Sequence, residues 1–243
     1  LAIYVLAAFK RNSLASVEAG LKYLLMGAVA SATILYGMAY LYGLSGGTSY
    51  VEIGRALATE QGDQTLYLSL ALVLTGGAFL FKVAAVPFHM WTPDAYEGAP
   101  TPVAGLMASG VKVAAFAALL KFLYVAVSGP AVEQLPVPVL DVLAVVALIT
   151  MTVGNIWALP QKNVKRVLAY SAIAHAGYLL LGCVAASGDP QLGAPYAIPG
   201  GNIPFYLVGY ALASLAAFSA LATVGRDGEE MTTESQLAGL GWR

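Results

Sequence analysis

The stretch Leu66-Tyr-Leu-Ser-Leu-Ala-Leu-Val-Leu-Thr-Gly-Gly-Ala-Phe-Leu-Phe-Lys82-Val-Ala-Ala-Val-Pro87-Phe-His89-Met-Trp91-Thr-Pro93-Asp94 decides how this chain folds. Apolar residues run almost unbroken to Lys82, as a helix crossing a hydrocarbon core roughly 30 Å thick requires. A charge at the centre of such a helix costs about 2.5–3.5 kcal/mol on insertion scales. Lys82 is therefore expensive, and Pro87 and His89 follow closely. Pro87 removes a backbone hydrogen bond and clashes with the carbonyl four residues earlier, while Gly76 and Gly77 loosen the helix. The stretch predicts one broken span. Broken helices are tolerated where the freed backbone is buried in protein or lines a watery cavity, and transporters use them as ion sites. Prolines also kink helices for packing alone, but a lysine beside the kink favours an ion or proton path.

The rest of the chain has the same character. Of 243 residues, 59% are hydrophobic and 10% charged, against about 25% charged in soluble domains. Mean hydropathy is +0.75. This is the composition of a polytopic, all-α membrane protein whose main surroundings are the lipid bilayer. With a net charge of −1, nothing points to nucleic acid, whose binders carry clustered basic surface. The single cysteine, Cys183, offers neither a disulfide nor a thiolate metal site. No glycine-rich phosphate loop or nucleophile elbow is present. The chain opens inside an apolar run, Leu1 to Phe9, with no methionine or signal-peptide layout, and stops in a polar segment at Arg243. It reads as a piece of a longer subunit.

Full spans are expected at 17–44, 66–91, 102–128, 136–159, 164–187 and 203–225, with a partial one at 1–9. Residues 50–60 read as a short amphipathic piece lying on the membrane surface. The bias of Lys and Arg between loops sets orientation. Lys10 and Arg11 precede the first full span, and Lys162, Lys165 and Arg166 follow the fourth. Four spans separate the two clusters, so both are expected on the cytoplasmic face, together with 92–101 and 226–243. The opposite loops carry Glu52, Arg55, Glu60, Asp63, Glu133 and Asp189, mostly acidic.

Five further ionisable positions stand out. Glu18 and Lys22 are four apart with the acid first, the favoured order on one helical face. Their spacing fits an interfacial ion pair with a snorkelling lysine and a functional pair equally well. Lys112 lies eleven residues into its span, too deep to snorkel easily, and is expected to face the bundle interior. Lys121, nearer the far end, can snorkel. His175 has Ser171 one turn before it and Tyr170 close by. His89 and His175 can each accept and return a proton near neutral pH, although a lone histidine in an apolar helix is more often structural. Two distant histidines do not make a metal site. Together, two deep lysines and two histidines supply the parts of a proton relay.

Phe81-Lys82 followed by Val86-Pro-Phe-His89-Met-Trp91-Thr-Pro-Asp94-Ala-Tyr96-Glu-Gly-Ala-Pro100-Thr-Pro102 resembles the core motif of the antiporter-like subunits of respiratory complex I. The continuation from Tyr96 to Val103, then Lys112, most resembles the subunit N branch, the bacterial counterpart of mitochondrial subunit 2. Glu18-Ala-Gly-Leu-Lys22-Tyr, the stretch from Gln161 to Tyr178 and Leu237-Ala-Gly-Leu-Gly agree. The resemblance covers essentially the whole chain.

It implies an antiporter-like fold of inverted five-helix repeats, each with one broken helix. Residues 1–128 would belong to the first repeat and 129–243 to the second, truncated before its own broken helix. It also implies proton translocation in the membrane arm of an NADH:quinone oxidoreductase, in a bacterial inner membrane or an organelle membrane. The relay would use Lys82, Lys112, His89, Glu18, Lys22, His175 and Tyr170. Other membrane-arm subunits, including other antiporter-like ones, would be partners. NADH, FMN, iron–sulfur clusters and quinone (ubiquinone in many such complexes) would bind other subunits, leaving no cofactor in this chain. The family's glutamate partner for Lys82 would fall just upstream of Leu1. Two alternatives stand: a subunit of a multisubunit sodium/proton antiporter, and a structural membrane anchor with no proton path. A plastid-type relative fed by ferredoxin would share the same membrane pattern, because electron donors bind other subunits.

Overall fold

The computed structural model describes residues 2–59, 65–127, 139–187, 202–226 and 229–240. Glu60, Asp63, Glu133 and Asp189, expected in the acidic loops, lie outside these. Among the described residues, six helices are long and apolar enough to cross a membrane. The all-α reading holds, with one small exception at the carboxyl end.

A short α1 (Ala2–Ala7) leads to α2 (Leu14–Ser45). Ser13 caps α2 by accepting from the Ser16 amide at 3.4 Å, and Gly46 ends it at φ 68°. Both are the residue types that helix ends select. The amphipathic segment forms α3 (Tyr50–Thr59), which packs on the bundle through the fully buried Leu57. Exposed Lys121 rests over the Tyr50 ring at 4.8 Å. Next come α4 (Thr65–Val83) and α5 (Trp91–Gly98). Helix α6 (Thr101–Leu106) and α7 (Lys112–Val127) are joined by a π-turn, Met107–Val111. Three spans follow: α8 (Val139–Ala158), α9 (Val164–Ser187) and α10 (Asn202–Thr223). A two-residue ladder pairs β1 (Gly225–Arg226) with β2 (Glu229–Glu230) before α11 (Glu234–Leu237).

The expected broken span is present, with its break inside the Lys82–Pro87 stretch, but its helix ends at Val83 and not at 91. Helix α4 stops at Val83, before Pro87, and runs straight through Gly76 and Gly77, where an added methyl would meet nothing within 4 Å. The break is a Schellman ending. Ala84 takes φ 63°, its amide donates to the Phe81 carbonyl at 3.1 Å, and the Ala85 amide reaches back to the Leu80 carbonyl at 2.9 Å. Those two bonds and a left-handed residue terminate a helix without proline. Glycine usually fills that place, so the sequence located the break but credited it to Pro87 and the glycines and not to Ala84.

Helices α8 and α9 pack closely through small residues, the usual device where lipid removes any hydrophobic drive. A methyl at Gly177 would lie 2.7 Å from the Met151 amide nitrogen and 2.8 Å from the Ala147 carbonyl oxygen. Both are backbone atoms and cannot step aside. Gly177→Ala is expected to destabilise the bundle by about 1–3 kcal/mol. An unchanged melting temperature of the purified complex would show that the two helices separate freely.

Candidate functional site

One end of the bundle gathers the charges. Glu230, from the β1–β2 hairpin, accepts from the Thr101 amide at 3.1 Å and the Thr101 hydroxyl at 2.7 Å. It also pairs with Lys165 at 3.1 Å and Lys10 at 2.9 Å. A carboxylate at the start of α6 suits the positive end of the helix dipole. Lys165, almost fully buried, donates in addition to the Ala99 carbonyl at 2.6 Å. Burial alone would raise the Glu230 pKa, but the bonds from Thr101 and Lys10 and the Lys165 charge outweigh it and bring it down to about 2.

A second network lies beside this one. Lys22 pairs with Glu18 at 2.7 Å and with Asp94 at 3.0 Å. Arg166 pairs with Asp94 at 2.8 Å and Glu97 at 2.7 Å. Partial burial opposes ionisation of Asp94, yet the hydrogen bonds and charges of Lys22 and Arg166 hold it below the usual carboxylate range. The expected Glu18–Lys22 pair is present. The two basic clusters separated by four spans also meet at one end, as the loop charges predicted. Asp94, Glu97 and Glu230 were not singled out in the sequence; each is an acid in a segment assigned to the basic face, which was the available signal.

Helices α2, α6 and α9 start at this end and α10 finishes there, so depth can be counted along them. Lys112 and His175 each lie eleven residues in, about 16 Å at 1.5 Å per residue. Tyr210 is thirteen residues from the end of α10, about 20 Å in. These three meet. Lys112 is 3% exposed, and its ammonium donates to the Ala172 carbonyl of α9 and sits 5.7 Å above the Tyr210 ring. The same ring lies 5.0 Å from that of His175. His175 Nδ1 is bonded to the Tyr206 hydroxyl at 2.5 Å. The π-turn ends immediately before Lys112, and such turns recur at functional sites.

Lys82 occupies another place at similar depth. Its ammonium donates to the Tyr4 hydroxyl at 3.2 Å and lies 5.9 Å and 5.8 Å from the Tyr4 and Phe81 ring centroids. The Tyr4 hydroxyl abuts Gly27, thirteen residues into α2 and so about 20 Å from its start. Lys82 is also in the last turn of α4, where the broken helix presents its negative dipole end to a cation. Tyr4 meets Tyr23 edge-to-face and Tyr23 stacks on Trp91, whose indole donates to the Phe81 carbonyl at 3.1 Å.

His89 and Tyr170 form a third group. His89 is buried and finds no side-chain hydrogen-bond partner among the described residues. Its ring lies 5.5 Å from Trp157, which meets Tyr170 at 6.2 Å. Tyr170 is therefore with Trp157 and not beside His175, as its sequence position suggested. Five residues turn about 140° around a helix, which puts the two on different faces.

The chain matches the family model described as NADH:quinone oxidoreductase/Mrp antiporter, TM, over residues 1–243. It is 45% identical over 244 residues to the NADH-quinone oxidoreductase subunit N of Trichlorobacter lovleyi, covering 99% of this chain and 47% of that protein. A subunit N of Sorangium cellulosum is 46% identical over 100% of this chain and 47% of its own length. The chain thus spans about half the length of the relatives it matches. Among solved structures, a chain of respiratory complex I from Thermus thermophilus with bound Aureothin is similar at 40% identity and TM-score 0.69, over 91% of this chain and 43% of that one. A chain of the Mrp complex from Dietzia sp. is similar at 26% identity and TM-score 0.74, over 92% and 39%. This chain belongs to the NADH:quinone oxidoreductase/Mrp antiporter transmembrane family.

Proposed function

We propose that this chain forms part of a proton-translocating subunit in the membrane arm of a bacterial inner-membrane NADH:quinone oxidoreductase. The observation that carries the reading is Lys112, an almost fully buried ammonium at mid-depth, held by a backbone carbonyl and facing Tyr210 beside His175. One carbonyl and one ring face offset little of the cost of desolvating an ammonium, and intramembrane ionisable groups mark ion and proton routes. Relatives near 45% identity that bear the subunit N name favour this complex over a sodium/proton antiporter. Likeness to the Mrp chain at 26% identity keeps the antiporter as the second reading.

In this reading, 1–128 and 129–243 are portions of two inverted repeats. Redox energy released on other subunits changes the charge near Lys82, and the proton it releases moves to Lys112 through water. The Glu18–Lys22–Asp94 network lies at the basic, cytoplasmic end and steers protons inward. His89 and Tyr170 line the wall between α5, α8 and α9.

Lys82→Ala and Lys82→Arg test the reading in the complete subunit within the assembled complex. Arginine keeps the charge but cannot release its proton, so both variants are expected to lose proton pumping while assembly is retained. Normal pumping by Lys82→Arg would remove Lys82 from the path.

A further inference from the structure

Proton transfer as far as Lys112 leaves open where the proton goes next, and the contacts around His175 bear on that. Its Nδ1 is bonded to the Tyr206 hydroxyl at 2.5 Å. Tyr206 lies four residues from the start of α10, at the end opposite the ion networks, and is 36% exposed. Counted from the basic end, it is about 26 Å deep, where Lys112 and His175 are at about 16 Å. Lys112, His175 and Tyr206 therefore lead from a buried centre to a partly exposed side chain whose backbone belongs to the opposite end, although its hydroxyl reaches down to the imidazole. Tyr210 contacts both of the first two, its ring 5.7 Å from the Lys112 ammonium and 5.0 Å from the His175 ring. Tyr178 also touches the His175 ring edge, at 5.7 Å, but its hydroxyl is bonded to Asn155 at 3.0 Å and leads sideways to α8.

We propose that Tyr206 is a relay residue that passes protons from His175 to the membrane face opposite the basic end. The proposal rests on the proton-path reading of Lys112. In one transfer, a water-borne proton released by Lys112 bonds to Nε2 of His175, and the Nδ1–H bond breaks as that proton moves to the Tyr206 oxygen. Tyr206 gives its own hydroxyl proton to a water at the exposed side. One N–H and one O–H bond form as one of each breaks, and no electrons are exchanged. Water-assisted exchange of the imidazole proton from Nε2 back to Nδ1, with rotation of the Tyr206 hydroxyl, resets the pair without returning the transferred proton to Lys112, a role for which histidine is suited.

Tyr206→Phe removes the hydroxyl and keeps the ring, so packing against His175 at 5.9 Å is retained. The variant is made in the complete subunit, the complex is checked for assembly on a native gel, and acidification of inverted vesicles is recorded together with NADH oxidation. The pumped-proton yield per NADH is expected to fall as far as it does in Lys112→Ala. Tyr178→Phe, which removes a neighbouring hydroxyl outside the route, is expected to keep the wild-type yield. A wild-type yield in Tyr206→Phe beside a loss in Lys112→Ala would overturn the exit through Tyr206 and leave the main path standing. A wild-type yield in both would overturn the main path itself. An equal loss in Tyr178→Phe would make both effects structural and also overturn the proposal.

Discussion

Lys112→Met is expected to abolish proton transfer through this chain while leaving the helix bundle as stable as before or more so. The two effects separate because the residue is stabilised so poorly. Its ammonium has a carbonyl and a ring face, and no carboxylate is bonded to it among the described residues. Replacing even a buried ion pair with apolar side chains of similar volume is often neutral or stabilising by about 1–4 kcal/mol, and among the described residues Lys112 lacks the pairing that would offset its desolvation. Methionine fills the same space without desolvating a charge. A purified variant complex with an unchanged or raised melting temperature and no pumping would identify Lys112 as retained for proton transfer. A lowered melting temperature with normal pumping would identify it as a packing residue.

Glu230→Ala is expected to have the largest structural effect in the chain. Lys165 has only 3% of its side chain exposed and would lose its carboxylate, leaving a buried charge held by the Ala99 carbonyl alone. Breaking such a pair from one side costs about 3–5 kcal/mol. Thr101 would lose its cap as well, which typically costs a further ~1 kcal/mol. The lost contacts tie the loop at Lys10, the start of α6 and the start of α9 to one hairpin. On the proposed repeat division, this couples the two repeats. The low pKa of Glu230 adds a pH signature. Its folded value of about 2 lies below the ordinary 4.5, so its contribution is fully present above pH 4.5 and is lost as pH falls toward 2. Melting temperature should therefore decline across that window in the wild type and less steeply in Glu230→Gln. Parallel pH profiles for the two would contradict the clamp.

The spanning helices were legible in the sequence because lipid imposes length and apolarity directly, and nearly every boundary fell within a few residues. The interior position of Lys112 followed from depth alone. Other features depended on distance in space. The break fell in the expected Lys82–Pro87 stretch, but the Schellman ending at Ala84 uses alanine where glycine is usual, so its cause was credited to Pro87. Tyr206 and Tyr210 were not singled out in the sequence, since nothing local says that α10 brings them to His175. Glu230 sits in a polar segment where an acid is unremarkable, and only the folded chain puts it against Thr101 and Lys165. Tyr170 was read by sequence nearness to His175, when helical rotation decides its neighbours.

The central claim is that Lys82 and Lys112 serve one proton path. Simultaneous recording of NADH oxidation and vesicle acidification for Lys82→Ala, Lys112→Ala and the double variant tests it most directly. A double variant whose pumped-proton yield is no lower than that of either reduced single variant would place both lysines on one path. Wild-type yields in the single variants, or losses that add in the double variant, would contradict the account.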